Sequence, residues 1–339
     1  MRNGKKIAFC IVLLISTLGS YGQDIHFSQV DANPLFLNPA LTGTMNTQYR
    51  AVISHRSQWN AFTNAYKTVA ASIDNGRQFL FFPYAKIGMG LSVLSDRAGD
   101  GNYGRTSIFV PLSAQKSFFE NRMLISVGAQ AGIGQYSFDF NKLYWGNQFD
   151  GNRYEPALPS NETFPNNSHS YFDISSGIYL SWKTGNNFKL SGSWAVFHIN
   201  EASNSFSDYS SEKISRKNIG FISSTVPLSS MFILHPAIYF QQQKTNKEIM
   251  PGAMLQIVSG NMIVQDFRAG LFFRNKDAII LRAIMVYKEL QIGLSYDFTF
   301  SDLTVANNGR GGFELSLTYL FNLRKVIPEY PPKYCPDYI

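Results

Sequence analysis

The feature that most constrains this chain is a strict alternation of apolar residues with small or polar ones. The clearest run is 290–298, where Leu, Ile, Leu, Tyr and Phe alternate with Gln, Gly, Ser and Asp. A helix would instead need apolar residues at steps of three and four. Alternation sustained over about ten residues is typical of strands that cross an outer membrane, with one face toward lipid and the other toward the interior of a barrel.

About 14 runs of this kind follow one another between residues 47 and 321. Each is close to the roughly 9–11 residues that a tilted strand needs to cross the membrane. They lie at 47–56, 66–75, 85–95, 105–117, 122–135, 171–183, 187–198, 216–226, 231–243, 247–259, 262–274, 278–288, 289–299 and 312–321. We therefore predict an all-β fold, a single transmembrane antiparallel β-barrel of about 14 strands over residues 47–321.

The start of the chain predicts export. Arg2, Lys5 and Lys6 precede an apolar run over 7–18, and small residues stand at positions 20 and 22. This is the pattern of a signal peptide over residues 1–22, so the mature chain is predicted to begin at Gln23.

The charge of the predicted mature chain is close to balanced. Removing the three cations of the signal peptide from the 30 Lys and Arg leaves 27 against 23 Asp and Glu, a net charge of +4. That balance is too mild to favour a nucleic-acid partner. The charged share of 16% is well below the roughly 25% of an ordinary soluble domain.

The lengths of the connections predict an orientation. The connections at 136–170 and 199–215 are the longest and are rich in Asn and Ser, whereas most even-numbered connections are tight. Outer-membrane barrels have long extracellular loops and short periplasmic turns. We therefore predict a multi-pass barrel in the outer membrane of a Gram-negative bacterium, in contact with its lipid, with both termini periplasmic. Residues 322–339 would form a periplasmic tail rich in Pro and Tyr, an extended segment suited to docking a periplasmic partner or an end without a role.

The segment 23–46 is predicted to pack against the barrel as a plug or strap. Two Asn-Pro steps, at 33–34 and 38–39, disfavour helix at the asparagines and fix φ at the prolines. Between them lies the apolar group Leu35, Phe36 and Leu37. The segment is too short to form a domain and too apolar to be a free tail, so we expect it to be ordered and buried against the barrel wall, in or across the periplasmic end of the barrel.

The same segment carries a sequence motif that is followed by a second one. The first has the form FSQ…NP…NPALTG, and the second is an R-x-Q-W block. Their residues are Phe27, Ser28, Gln29, Asn33, Pro34, Asn38, Pro39, Ala40 and Gly43, then Arg56, Gln58 and Trp59. In order and spacing they resemble the PorP/SprF family of type IX secretion membrane proteins.

The resemblance implies a non-enzymatic outer-membrane barrel of the type IX secretion and gliding machinery. Such a protein would help to secrete, localise or anchor a surface protein of adhesin type. Its expected partners are other components of the secretion system and the C-terminal signal domain of the secreted cargo. From the residues alone, an outer-membrane diffusion channel for small solutes remains the alternative.

Strand parity places several arginines inside the barrel, because a cation at the lipid midplane costs roughly 2–4 kcal/mol. They are Arg50, Arg56, Arg268, Arg274 and Arg282. They could line an anion pore, or they could pair with lumenal acids or with the plug, and we favour pairing. The candidate acids are Asp74, Asp173, Asp297 and Glu314. Trp59 follows the first strand and could belong to the interfacial aromatic girdle, hold the plug or contact a substrate.

No motif predicts catalysis, a cofactor or a metal ion. The five histidines are scattered over different segments, without the spacing of a zinc site. The run 95–102 is rich in oxygen ligands but lacks the spacing of an EF-hand and its closing Glu, so a flexible turn is the favoured interpretation. No nucleophile motif of the GxSxG kind is present. We therefore expect a protein without enzymatic activity and without a cofactor.

Overall fold

The computed structural model describes residues 24–58, 66–78, 85–162, 166–206, 212–259, 263–301 and 309–323. These residues form a closed barrel of 14 antiparallel strands in which each strand pairs with its neighbours in sequence and β1 pairs with β14. The strands are β1 Tyr49–Gln58, β2 Tyr66–Gln78, β3 Ala85–Ala98, β4 Tyr103–Phe118, β5 Met123–Ser137, β6 Ser168–Lys183, β7 Lys189–Phe197, β8 Lys217–Pro227, β9 Phe232–Gln243, β10 Asn246–Val258, β11 Val264–Arg274, β12 Ala278–Tyr287, β13 Leu290–Thr299 and β14 Arg310–Phe321.

The predicted fold is confirmed, and each predicted run overlaps one strand. The ends differ by a few residues, with the sixth strand beginning at Ser168 and the second continuing to Gln78. The predicted signal peptide, Trp59 and most of the predicted tail lie outside the described residues.

The seam between β1 and β14 is in register along its whole length, from Tyr49 opposite Phe321 to Gln58 opposite Gly312. The rings of Tyr49 and Phe321 stack with centroids 5.3 Å apart. Closure removes the unpaired edges that an open sheet would expose, so the described strands satisfy one another's backbone groups.

The alternation of the sequence appears as two different faces of the wall. Apolar side chains such as Leu281 and Leu294 point outward and are exposed, as lipid-facing residues of an isolated barrel must be. Polar and charged side chains such as Ser295 and Asp297 point inward and are buried. Among the described residues, no helix is long and apolar enough to span a membrane.

The two mouths of the barrel differ in the length of their connections. One mouth, which we call the long-loop mouth, carries the connections 138–167 and 198–216. The opposite mouth, which we call the short-turn mouth, carries the turns 119–122, 184–188 and 228–231. The chain enters β1 and leaves β14 at the short-turn mouth.

Candidate functional site: the lumenal strap

The segment that precedes β1 runs through the lumen from one mouth to the other, and we call residues 24–46 the strap. Its first residue, Asp24, pairs with Arg105 near the long-loop end of β4. At its other end, the backbone N–H of Gly43 donates to Asp74, near the short-turn end of β2, over 2.7 Å. The strap therefore spans the distance between the two mouths.

This path differs from the predicted one. A plug packed across the periplasmic end would leave the start and the end of the chain on the same side of the membrane. Asp24 instead lies at the long-loop mouth, whereas Phe321 ends β14 at the short-turn mouth. The physical reason is that lumen-facing polar partners are spread along the whole wall, so they hold the strap at several levels.

The two Asn-Pro steps give the strap its local shape. Pro34–Leu37 forms a single helical turn, and Pro39–Leu41 forms a 3-10 turn. Proline suits the first position of each turn because φ is preset and no N–H needs a partner there. Asn38 between them is extended, and its Oδ1 accepts the backbone N–H of Ala40 over 2.8 Å. The motif thus encodes two compact turns joined by a capping asparagine.

Asn38 also binds the barrel wall. Its Nδ2 donates to the backbone oxygen of Ile178 over 2.8 Å and to Ser193 Oγ over 2.7 Å. A Cβ on Gly177 would lie only 2.1 Å from Asn38 Oδ1, so the absence of a side chain there makes room for the amide. One motif residue therefore both caps a turn and joins the strap to β6 and β7.

A buried ionic cluster holds the strap at the long-loop mouth. The carboxylate of Asp24 lies 2.6 Å from Arg105, 2.7 Å from His198 and 3.8 Å from Lys217, and its backbone N–H donates to Gln243. Burial alone would raise the pKa of the Asp24 carboxyl, but the three cationic partners outweigh burial and hold that pKa well below its usual range. Asp24 is therefore ionised at neutral pH, and it binds residues of β4, β8 and β9 and of the connection that follows β7.

His26 follows two residues later in the strap. Its Nδ1 lies 3.8 Å from a carboxylate oxygen of Glu248, so a second strap residue approaches the wall, on β10.

The centre of the lumen holds a second cluster, in which the strap supplies donors to two buried acids. The backbone N–H groups of Ser28 and Gln29 donate to Glu314 over 2.8 and 3.1 Å, and Ser28 Oγ donates to Asp297 over 2.7 Å. Arg56 lies 2.9 Å from Asp297 and 3.1 Å from Glu314 and is 1% exposed. Buried charges are tolerable only when they are paired and hydrogen-bonded, and these contacts meet that need.

The other predicted lumenal arginines are paired as well. The pairs are Arg50 with Asp74 at 2.7 Å, Arg268 with Asp266 at 2.9 Å, Arg274 with Asp297 at 3.1 Å, and Arg282 with Asp31 of the strap. Asp173 instead lies 2.8 Å from His198. These contacts match the paired alternative, in which the arginines bind acids and the strap, rather than an anion-lined pore.

Glycines in the wall let the strap backbone approach closely. A Cβ on Gly128 would lie 2.4 Å from Ala40 N, and one on Gly88 would lie 2.2 Å from Thr42 O. Beside the first of these, Ser126 Oγ donates to the backbone oxygen of Ala40 over 2.6 Å. Direct contact between backbone and wall leaves little space on this side of the lumen.

Apolar side chains of the strap also pack against the wall. Leu35 and Leu37 are buried, and Leu37 belongs to a cluster that includes Tyr239, Met250 and Ile280 from the wall. A cavity of about 70 Å³ remains between the strap and the wall near the long-loop mouth, enough for a few water molecules. Burial of this apolar surface adds a hydrophobic contribution to the polar anchors.

The residues of the second motif, the R-x-Q-W block, do not lie together at one place in the barrel. Arg56 lies in the central cluster and contacts the strap residue Ser28. Gln58 ends β1 at the long-loop mouth, opposite Tyr66 of β2. Trp59 lies outside the described residues, so its three interpretations stay open.

Several residues of the site were missed by the sequence analysis. Asp24, Arg105 and Lys217 carry no motif, although parity places Arg105 on the polar face of β4 together with Ser107. Gly128 carries no signal in the sequence beyond being a small residue in one of the alternating runs. Within the described ranges, no group of three or more His, Cys, Asp or Glu side chains is placed to hold a metal ion.

A closed 14-strand barrel with an apolar outer face and a charged, occupied lumen is an outer-membrane β-barrel protein. The family model described as type IX secretion system membrane protein PorP/SprF matches residues 19–319. The chain belongs to this family, which confirms the resemblance seen in its motifs.

Solved structures support the fold. The toluene transporter TbuX of Ralstonia pickettii is similar with a TM-score of 0.50 and 9% identity, over 85% of this chain and 93% of that one. The CymD monoaromatic hydrocarbon channel is similar with a TM-score of 0.51 and 11% identity, over 86% and 93%. At such identities the likeness shows the barrel fold alone. Among curated proteins, nothing matches the chain.

Proposed function

We propose that this protein is a non-enzymatic outer-membrane component of the type IX secretion and gliding machinery. It would help to secrete, localise or anchor a surface protein of adhesin type. Family membership supports the link to secretion. We further propose that the intact protein does not conduct solutes. The observation that supports this is the strap, which is anchored from Asp24 to Gly43 along the lumen.

The occupied lumen argues against an open diffusion channel. Solutes would have to pass a strap that is bound by buried ion pairs, hydrogen bonds to the wall and apolar contacts. The porin alternative therefore requires the strap to leave the lumen. A barrel that stays closed is suited to holding partners at its two mouths while keeping the membrane sealed.

The long-loop mouth is the proposed cell-surface side, where the cargo or its C-terminal signal domain would be held. The two longest connections of the barrel, 138–167 and 198–216, are on this side. The short-turn mouth would then face the periplasm and the other components of the machinery. Long outward loops and short periplasmic turns are the usual arrangement in such barrels.

Two measurements test the proposal. Cross-linking in native outer membranes, followed by purification of this protein, should recover secretion components and a secreted surface protein. In planar bilayers the purified protein should show no steady large openings. Steady openings in the intact protein, together with no recovered secretion component, would favour the diffusion channel instead.

A further inference from the structure

The short-turn mouth contains a basic cavity that the strap does not fill. Its volume is about 650 Å³, and it lies between the end of the strap at 44–46 and the wall formed by β3 to β7. Four cations line it: Lys86, Arg122, Lys183 and Lys189. None of its lining residues is a carboxylate. We call this cavity the basic vestibule.

Two of these cations, Lys183 and Lys189, point into the lumen rather than toward lipid. Lys183 follows the lumen-facing Tyr179 and Ser181 at alternate positions of β6, and Lys189 precedes the lumen-facing Ser191 on β7. Because side chains alternate between the two faces of a strand, lysines at these positions cannot reach lipid head groups without crossing the wall. The vestibule is therefore a feature of the interior.

The arrangement of the cations is costly in the absence of an anion. Lys183 and Lys189 are direct cross-strand partners on the same face, and like charges placed directly opposite each other are destabilising. Among the described residues, no carboxylate lies within 4.0 Å of any of the four cations, whereas Arg56 and Arg274 in the centre of the lumen are both paired. The vestibule thus differs from the rest of the lumen in having uncompensated positive charge.

We propose that the basic vestibule binds an acidic peptide segment of a partner protein. A concave site lined by charges of one sign focuses the electrostatic potential and attracts ligands of the opposite sign. The volume lies within the roughly 300–1,000 Å³ of ordinary ligand sites, and the lining amide and hydroxyl groups of Gln115, Ser117 and Asn121 can bind carboxylates or a peptide backbone. A peptide fits better than a lipid head group because the lysines face the lumen.

A segment bound there would also touch the strap. Gln115 lines the vestibule and donates to the backbone oxygen of Thr42 over 2.6 Å. Thr44 and Asn46 form part of the same lining. The proposal names a partner class for the proposed function and rests on it for the partner's role in secretion, but the binding itself can be measured independently.

The test uses the full-length protein in lipid nanodiscs and a fluorescent synthetic peptide rich in Asp and Glu. The double variant Lys183→Gln/Lys189→Gln should weaken binding of this peptide roughly tenfold, because it removes two of the four cations that attract the peptide and each partly exposed charge pair contributes only modestly. Raising the salt concentration should weaken binding to the unaltered protein. The matched control is Lys116→Gln, at the same mouth but exposed on the outer face of β4, which should bind like the unaltered protein.

Three outcomes would overturn the proposal. One is equal binding of a peptide in which every Asp and Glu is replaced by Asn and Gln. Another is an unchanged affinity in the double variant, provided that its heat-modifiable migration on gels shows a folded barrel. The third is binding of anionic lipid vesicles with the same dependence on the two lysines, which would make the vestibule a lipid contact. Peptide binding that is retained while no secretion component is recovered from native membranes would refute the proposed function and leave the vestibule intact.

Discussion

The close contact between Gly128 and the strap leads to a quantitative prediction for Gly128→Ala. The new Cβ would lie 2.4 Å from Ala40 N, 2.5 Å from Pro39 C and 2.6 Å from Ala40 Cα. All three are backbone atoms that cannot rotate away, so the strap must retreat by about 1 Å to reach an ordinary contact. That shift would also stretch the 2.6 Å hydrogen bond from Ser126 to Ala40 beyond its normal range.

The expected cost follows from these two effects. Overpacking of a well-packed site costs about 1–3 kcal/mol, and loss of the hydrogen bond adds about 0.5–1.5 kcal/mol. A total of about 2–4 kcal/mol would raise the population of the undocked strap between roughly 30-fold and several hundredfold, at a factor of ten per 1.4 kcal/mol. The barrel wall should remain closed, because none of its own pairings is removed.

The undocked population can be measured by thiol labelling of the strap. Leu37→Cys places a thiol at a position that is 4% exposed, in a background in which the remaining cysteine of the predicted mature chain is removed by Cys335→Ser. Gly128→Ala should speed the labelling of this thiol and produce channel openings in planar bilayers. The control is Gly192→Ala, where the nearest atom to a new Cβ is 3.8 Å away. Equal labelling rates and equal conductance in the two variants would refute the close packing of the strap on β5.

Three further predictions concern the mouths of the barrel. Because the pKa of Asp24 is depressed in the folded protein, its contribution to strap docking should be complete above about pH 4 and fall as the pH drops further toward the folded-state pKa. Channel openings should accordingly increase between pH 4 and pH 3 but not between pH 7 and pH 5, and Asp24→Asn should open more often at neutral pH with a weaker acid response. An epitope inserted near Asn166, in a long-loop connection, should bind antibody on whole cells; binding only after the outer membrane is permeabilised would invert the proposed orientation. Truncation after Leu323 should leave a heat-modifiable barrel but lose co-purification of a periplasmic component and display of the surface cargo, and normal display would show that the tail has no docking role.

The sequence was sufficient to predict the wall, because the alternation that encodes a strand is local and repeats for every strand. The runs 278–288 and 289–299, for example, coincide with β12 and β13 to within one residue at each end. The alternation of side chains along each strand likewise placed Arg56 and Arg274 on the inner face. This prediction did not require the register between distant strands.

The path of the strap could not be derived in the same way. It depends on pairs such as Ser28 with Glu314, which are separated by 286 residues, and no local pattern encodes such a pair. Gly128 and Gly88 look like ordinary small residues of alternating strands, and their role appears only when the strap lies against them. The same limit explains why the sequence predicted a plug at one end rather than a segment that spans both mouths.

The central cluster also bears on the order in which this barrel can be assembled. The strap residue Ser28 binds Glu314 on β14, while Arg56 on β1 binds the same carboxylate. The first and last strands therefore meet around a residue that precedes both of them in the chain. Since a lumen this full cannot readily be threaded after closure, we infer that the sheet wraps around the strap and that the strap acts as a template for the final pairing of β1 with β14. The strap, at the beginning of the chain, would then determine when β14, at the end of the chain, can pair with β1 and close the barrel.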